Sequence, residues 1–277
     1  MKITLIEPRG FCFGVCRALE MLDKIQQRPV YVLHEIVHNQ AVVFKYKQRG
    51  FIFVDDLSFV PKGSTLVFSA HGVSKKIEEE ARKKNLNIID TTCPFVKRVH
   101  NWVIQLEQDH RTIILIGKKN HAEIIGTAGQ VKDTNKIFIV SNQEDVVQLP
   151  EFDKVGITTQ TTLSQDETKN IIETIKQKYN NCLLQSGICQ ATTQRQKALK
   201  QACQNNDTIL VIGDKKSSNC MRLIEIARQN NRQVHLIEKA SDVNDLKLQG
   251  NIAITAAASA PEEIVQETFS LLQTNGH

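Results

Sequence analysis

Short β-branched apolar runs alternate along the chain with longer stretches whose apolar positions return every three or four residues. The runs are "ITLIE", "VYVL", "TLVFS", "NIID", "IILIG", "IFIV", "VGITT", "ILVIG", "VHLI" and "IAIT". Each is strand-sized, and their near-continuous hydrophobicity suits strands covered on both faces, as in parallel sheets. Between them, "VSKKIEEEARKKN", "LSQDETKNIIETIKQKYN" and "APEEIVQETFSLLQ" read as amphipathic helices. This alternation predicts the α/β class with mainly parallel sheets.

The pattern also repeats. The chain divides into thirds that begin near residues 1, 86 and 182, each opening with a strand, a turn and a cysteine: "ITLIEPRGFC", "NIIDTTC" and "CLLQSGIC". A helix follows, in "RALEMLDKIQ", "FVKRVHNWVIQLEQ" and "TTQRQKALKQAC", and then a strand ending in a polar loop. The loop residues His38, His121 and Ser217 fall 26, 28 and 28 positions after Cys12, Cys93 and Cys189. A second strand pair around an acidic connector ends in the polar tips His71, Thr161 and Ser259. Five elements in one order, three times over, predict three similar domains: 13–93, 94–189 and 190–277, the last completed by the N-terminal strand 1–12. A pseudo-threefold arrangement of such domains would bring the three cysteines together near its axis.

Composition narrows the function classes. The chain has 277 residues, of which 41% are hydrophobic and 5% aromatic, enough for a well-buried core. The formal net charge is +5, with lysines in pairs at 75, 83, 118 and 215 and no long basic run. Such diffuse charge does not argue for nucleic acid, but it favours a small anionic ligand. No apolar run is long enough to cross a membrane, and Pro8 and Gly10 interrupt an N-terminal stretch already too short for a signal peptide. Seven cysteines make an odd count, which argues for reduced thiols and a cytoplasmic location and against a disulfide framework.

Cys12, Cys93 and Cys189 share one place, at the strand-to-helix turn, the carboxyl edge where α/β sheets bind ligands. Cys16, Cys182, Cys203 and Cys220 have no counterparts between thirds and read as small, mostly buried hydrophobes. Three equivalent cysteines lack the tight pairs typical of structural zinc. They could hold a 4Fe–4S cluster with one iron left open, or be three core thiols; spacing leaves both readings standing.

The loop tips carry His38, His71, His121, Glu123, Thr161, Ser217, Ser218, Asn219 and Ser259. Hydroxyls, imidazoles and an amide at helix starts suit a diphosphate. Taken singly, Ser217 and Ser259 read equally as helix caps and Glu123 as a solvated surface carboxylate. Glu123 is the one carboxylate among the tips and the natural proton donor. Neither a Walker loop nor a Rossmann fingerprint is present, so a nucleotide is not indicated.

"PRGFC", "HEIVHN", "FSAHGVS", "TTCP", "HAEIIGT", "TQTTLS", "GICQATTQRQ", "SSN" and "ITAAASAP", taken together and in order, resemble the IspH/LytB family of 4-hydroxy-3-methylbut-2-enyl diphosphate reductases. The resemblance spans essentially the whole chain. It implies a trefoil of α/β domains around one 4Fe–4S cluster held by Cys12, Cys93 and Cys189. It also implies a diphosphate site of His38, His71, His121, Ser217, Ser218, Asn219 and Ser259, a substrate-side hydroxyl at Thr161 and a proton relay at Glu123. The implied reaction removes the substrate's allylic hydroxyl with two electrons from a ferredoxin or flavodoxin, giving isopentenyl and dimethylallyl diphosphate. Phe13, Ala122 and Ala257 depart from the family pattern beside functional positions without replacing one. The rival readings are an iron–sulfur redox sensor and a cluster-free protein that binds a phosphorylated metabolite.

Overall fold

A computed structural model describes residues 2–230 and 232–274. The chain folds into two compact units, each gathered from separate stretches of sequence. One comprises Met1–Cys16, Val37–Phe44 and Gln190–His277; the other comprises Arg17–Ile36 and Lys45–Cys189.

The first unit holds one four-stranded parallel sheet. Its strands are β1 (Ile3–Leu5), β10 (Thr208–Ile212), β11 (Gln233–Ile237) and β12 (Ile252–Ala256), in the order β1-β12-β10-β11. The register pairs Ile3 with Ile252 and Thr208 with both Ile252 and Gln233. All five residues of β10 and all five of β12 are buried, as covering helices on both faces require. The core here gathers Ile209, Leu210, Val211 and Ile212 with Leu199 of helix α8 (Gln190–Ala202), Leu223 of α9 (Ser218–Gln229) and Leu272 of α10 (Glu262–Thr274). Each such side chain contributes about 1.5–3 kcal/mol by leaving water.

The second unit holds two sheets. Strands β2 (Val30–Leu33), β3 (Phe51–Val54), β4 (Thr65–Phe68) and β5 (Asn87–Asp90) lie in the order β3-β2-β4-β5. Strands β6 (Thr112–Ile116), β7 (Ile137–Val140), β8 (Val155–Thr159) and β9 (Cys182–Leu184) lie in the order β7-β6-β8-β9. Every pairing in the three sheets is parallel. The three orders share one plan: two consecutive strands, a third beside the first of them, and an outer strand that leads to a cysteine. For the sheet of β10–β12, that outer strand is β1, from the other end of the chain.

The helices start and stop where local chemistry dictates. Ser74 caps α3 (Lys75–Lys83) by accepting the Ile77 N–H at 3.3 Å, with Glu78 in the first turn and Arg82 and Lys83 in the last. Ser164 caps α7 (Gln165–Lys178) in the same way, and Pro94 opens α4 (Pro94–Gln108) at a position that needs no N–H. The acidic connectors are short helical turns: Asp56 caps 57–59, and Asn142 caps α6 (Gln143–Val147). Helix α2 (Gln40–Gln48) is not among the elements the periodicity predicts. Among the described residues, no helix is long and apolar enough to cross a membrane.

Candidate active site

Each of the three equivalent cysteines immediately precedes a helix: Cys12 before α1 (Phe13–Asp23), Cys93 before α4 and Cys189 before α8. Each backbone N–H donates to a carbonyl two residues past the end of a neighbouring strand. The Cys12 N–H reaches Ala258 beyond β12 (3.0 Å), that of Cys93 reaches Ala70 beyond β4 (3.0 Å), and that of Cys189 reaches Thr161 beyond β8 (3.1 Å). All three residues are partly exposed, and none of the seven cysteines forms a disulfide.

The remaining cysteines divide. Cys203 and Cys220 are buried, as expected, and burial pushes the Cys220 thiol up to about 12. Cys16 and Cys182 are partly buried: Cys16 lies on α1 with its thiol toward the Phe11 carbonyl, and Cys182 opens the short outer strand β9.

In the second unit, Glu123 and Thr161 form a closed pair. The Thr161 N–H donates to Glu123 Oε1 at 2.7 Å and the Thr161 hydroxyl donates to Oε2 at 2.8 Å. Glu123 is 2% exposed, so the bland expectation of a solvated surface glutamate is corrected. Burial pushes its carboxyl up to about 7, and the two bonds from Thr161 oppose that rise without cancelling it. The carboxyl therefore exchanges a proton near neutrality.

His121 caps α5 (Ala122–Ala128), its Nδ1 accepting the Glu123 N–H at 3.2 Å. An accepting Nδ1 leaves the ring proton on Nε2, which can then donate to an anion. The His71 ring stands edge-on to that of His121, centroids 5.7 Å apart. The His71 loop is held against α5: Gln130 Nε2 donates to the carbonyls of Val73 (2.6 Å) and Gly126 (3.0 Å). Gly72 has φ +78°, and a Cβ there would stand 2.7 Å from Cε1 of His100, so glycine is required beside His71. Burial lowers that underlying His100 to about 4, keeping it neutral.

In the first unit, Ser217, Ser218, Asn219 and Ser259 are all buried. Ser217 caps α9 by accepting the Cys220 N–H at 3.3 Å, so its cap reading holds. The Ser259 hydroxyl donates to the His38 carbonyl at 3.0 Å and lies 3.5 Å from Ser217 Oγ. Asn219 accepts the Ala258 N–H through Oδ1 at 2.9 Å, while its buried Nδ2 has no partner. A donor left over inside a folded protein is a costly feature that an anionic ligand would relieve.

One residue of this set is not singled out by the sequence. Asp214 is buried, and its two carboxylate oxygens accept the N–H groups of Gln40 (3.2 Å) and Lys216 (2.8 Å). It thereby ties the loop after His38 to the loop before Ser217. Its only sequence signal is its place in the tip "GDKKSSN". Among the described residues, no group of three or more His, Cys, Asp or Glu is packed closely enough to grip a single metal ion.

A family model described as "LytB protein" matches residues 3–273. A 4-hydroxy-3-methylbut-2-enyl diphosphate reductase of Actinobacillus succinogenes is 43% identical over 286 residues, covering 100% of this chain and 91% of that protein. One of Zymomonas mobilis is 41% identical, covering 100% and 83%. Among solved structures, the E-1-hydroxy-2-methyl-but-2-enyl-4-diphosphate reductase of Plasmodium falciparum superposes with a TM-score of 0.92 at 41% identity, covering 98% of this chain and 87% of that one. A second, described as the terminal enzyme of the non-mevalonate pathway, gives 0.71 at 34% identity, covering 99% and 100%.

Proposed function

The chain belongs to the LytB protein family, and on that premise we propose that it reductively dehydroxylates (E)-4-hydroxy-3-methylbut-2-enyl diphosphate. The products are isopentenyl and dimethylallyl diphosphate, at the last step of the non-mevalonate isoprenoid pathway. Two electrons and two protons balance the loss of the hydroxyl as water.

The observation that carries the cofactor part of this reading is the threefold recurrence of one geometry. Cys12, Cys93 and Cys189 each follow the outer strand of a parallel sheet, head a helix and bond a carbonyl two residues past a strand end. That donor set fits one 4Fe–4S cluster. The thiols are partly exposed and form no disulfide; a multi-iron cluster also needs its sulfurs farther apart than a single ion does. When bound, such a cluster would supply electrons and a Lewis-acidic iron not capped by protein. The strand plan supports three repeat domains with the boundaries expected from the sequence.

The chain's own residues supply binding and proton control. Ser217, Ser218 and Asn219 at the start of α9, with Ser259 and His38, are assigned to the diphosphate; the unpartnered Asn219 Nδ2 supports this. His71 and His121 are assigned to the same anion, His121 donating from Nε2. Thr161 orients the substrate hydroxyl, and Glu123 releases its proton as that hydroxyl departs, a task suited to a carboxyl near 7. A ferredoxin or flavodoxin is the proposed electron donor, in the cytoplasm, with no part for nucleic acid or a membrane.

Anaerobic purification followed by iron and sulfide analysis, Mössbauer spectroscopy with and without substrate, and product identification test the reading. The expected result is a brown protein with one cluster, a substrate-sensitive iron site and both products. A colourless, iron-free protein would point to the metabolite-binding alternative. A cluster without affinity for isoprenyl diphosphates would point to the sensor.

A further inference from the structure

Arg195 lies on α8, six residues past Cys189, in a polar stretch, "TTQRQKALK", that gives no hint of burial. It is nevertheless only 3% exposed. Its Nη1 donates to the carbonyls of Pro8 (3.0 Å) and Ala256 (3.1 Å), and its Nη2 donates to the carbonyl of Gly10 (2.8 Å). These acceptors belong to two segments that meet again two residues further on. Gly10 leads to Cys12 and Ala256 leads to Ala258, and the Cys12 N–H bonds the Ala258 carbonyl at 3.0 Å. The guanidinium is therefore a rung placed one step before the bond that locates Cys12.

Burying a guanidinium is expensive, and an apolar side chain could fill the same space more cheaply if filling were all that was needed. What an apolar residue cannot do is hold three carbonyls in a fixed fork. Gly10 needs that hold, because with φ +67° it turns the chain sharply before Cys12.

A related contact serves the other two cysteines. Arg17 on α1 donates from Nη1 to the carbonyl of Thr92, the residue before Cys93, at 3.3 Å. Val99 on α4 packs at Gly187, two residues before Cys189, with a methyl 2.9 Å from where a Cβ would stand. In each case the helix after one cysteine braces the approach to another. The Cys12 approach is braced by three charge-assisted bonds from one side chain.

We propose that Arg195 is the positioning residue for Cys12, fixing the backbone that sets the direction of its sulfur. The proposal rests on the reading of Cys12 as a cluster ligand. Arg195→Met and Arg195→Lys in the full chain, purified anaerobically, are compared with wild type by two measurements. One is the rate of iron loss to a chelator; the other is iodoacetamide labelling of Cys12, Cys93 and Cys189 followed peptide by peptide.

Arg195→Met is expected to release iron roughly 10–100-fold faster, the range typical of lost outer-shell support. Cys12 labelling is expected to rise alone, with Cys93 and Cys189 unchanged. Arg195→Lys, which keeps a donor and the charge, should fall between the two and carries the comparison if the Met variant does not fold. Labelling of Cys12 at the wild-type rate, or equal acceleration at all three cysteines, would overturn the proposal. A wild-type chain that takes up no iron would instead overturn the cluster reading, and the labelling ratio would still decide whether Arg195 fixes Cys12.

Discussion

Replacing Glu123 by glutamine isolates the titration of this buried carboxyl. Glutamine keeps the shape: its Oε1 can accept the Thr161 N–H, and its amide can donate to the Thr161 hydroxyl once that group turns over. What it removes is the titration. Burial raises the Glu123 carboxyl from 4.5 to about 7, and at about 1.4 kcal/mol per unit this shift is worth about 3 kcal/mol. Between those two values the folded chain still holds a proton that the unfolded chain has released. Wild-type stability attributable to this group is therefore fully present below 4.5, falls as the pH rises, and has been lost by the time the pH passes 7. Glu123→Gln has no such slope. Anaerobic urea unfolding of both proteins, from below pH 4.5 to above pH 7, should show the variant gaining on wild type by about 3 kcal/mol across the window. In turnover the order reverses: the variant binds the diphosphate but loses most activity, having no proton to give. A variant-minus-wild-type difference that stays flat with pH, or that falls as the pH rises, would refute the raised carboxyl. Near-normal turnover would remove Glu123 from the chemistry.

Three further substitutions probe the same unit. Thr161→Val deletes the hydroxyl bond to Glu123 Oε2 but keeps the backbone one; because that bond lowers the Glu123 carboxyl, its loss should move the pH–activity profile toward higher pH, and an unmoved profile would show that the hydroxyl does not tune the acid. Gly187→Ala places a Cβ 2.0 Å from the Thr159 carbonyl, a backbone atom that cannot yield, whereas Gly156→Ala meets only the end of the Leu106 side chain at 2.4 Å. The first should cost at least about 3 kcal/mol in denaturation, the second about 1–3, and equal losses would contradict the difference in what each Cβ strikes.

Much of this architecture is legible in the chain because parallel strands buried on both faces leave uninterrupted apolar runs. The three fully buried strands β8, β10 and β12 are the plainest of these. Helix α2 leaves a weaker trace because its apolar residues bunch in "AVVF" instead of spreading at helical spacing, and one of them, Phe44, remains exposed. The equivalent cysteines can be found because they recur, a property of the sequence itself. The burial of Glu123 cannot: it sits in the first turn of the short helix α5, just after the polar loop "KKNH", and the residue that closes it in, Thr161, returns from 38 residues later. Arg195 is hidden for the same reason, since its acceptors Pro8 and Gly10 come from the far end of the chain. Side chains whose role comes from distant partners leave no periodic trace.

The approaches to the three cysteines show why the thirds share so little identity while sharing a plan. Near Cys93, the Thr91 hydroxyl donates to the Phe68 carbonyl at 2.6 Å; near Cys189, the Thr159 hydroxyl accepts the Gly187 N–H at 2.9 Å; near Cys12, the Arg195 guanidinium spans three carbonyls. A hydroxyl giving a bond, a hydroxyl taking one and a guanidinium giving three have little in common as side chains. They have the same consequence, which is that the backbone ahead of the thiol is fixed and its N–H meets the carbonyl two residues beyond a strand. If the thiols were merely core filling, apolar packing would serve at all three places and buried polar braces would be an unneeded cost. What the three solutions have in common is the location of a sulfur atom, so the constraint acts on the thiol's position and leaves the bracing residue open to change.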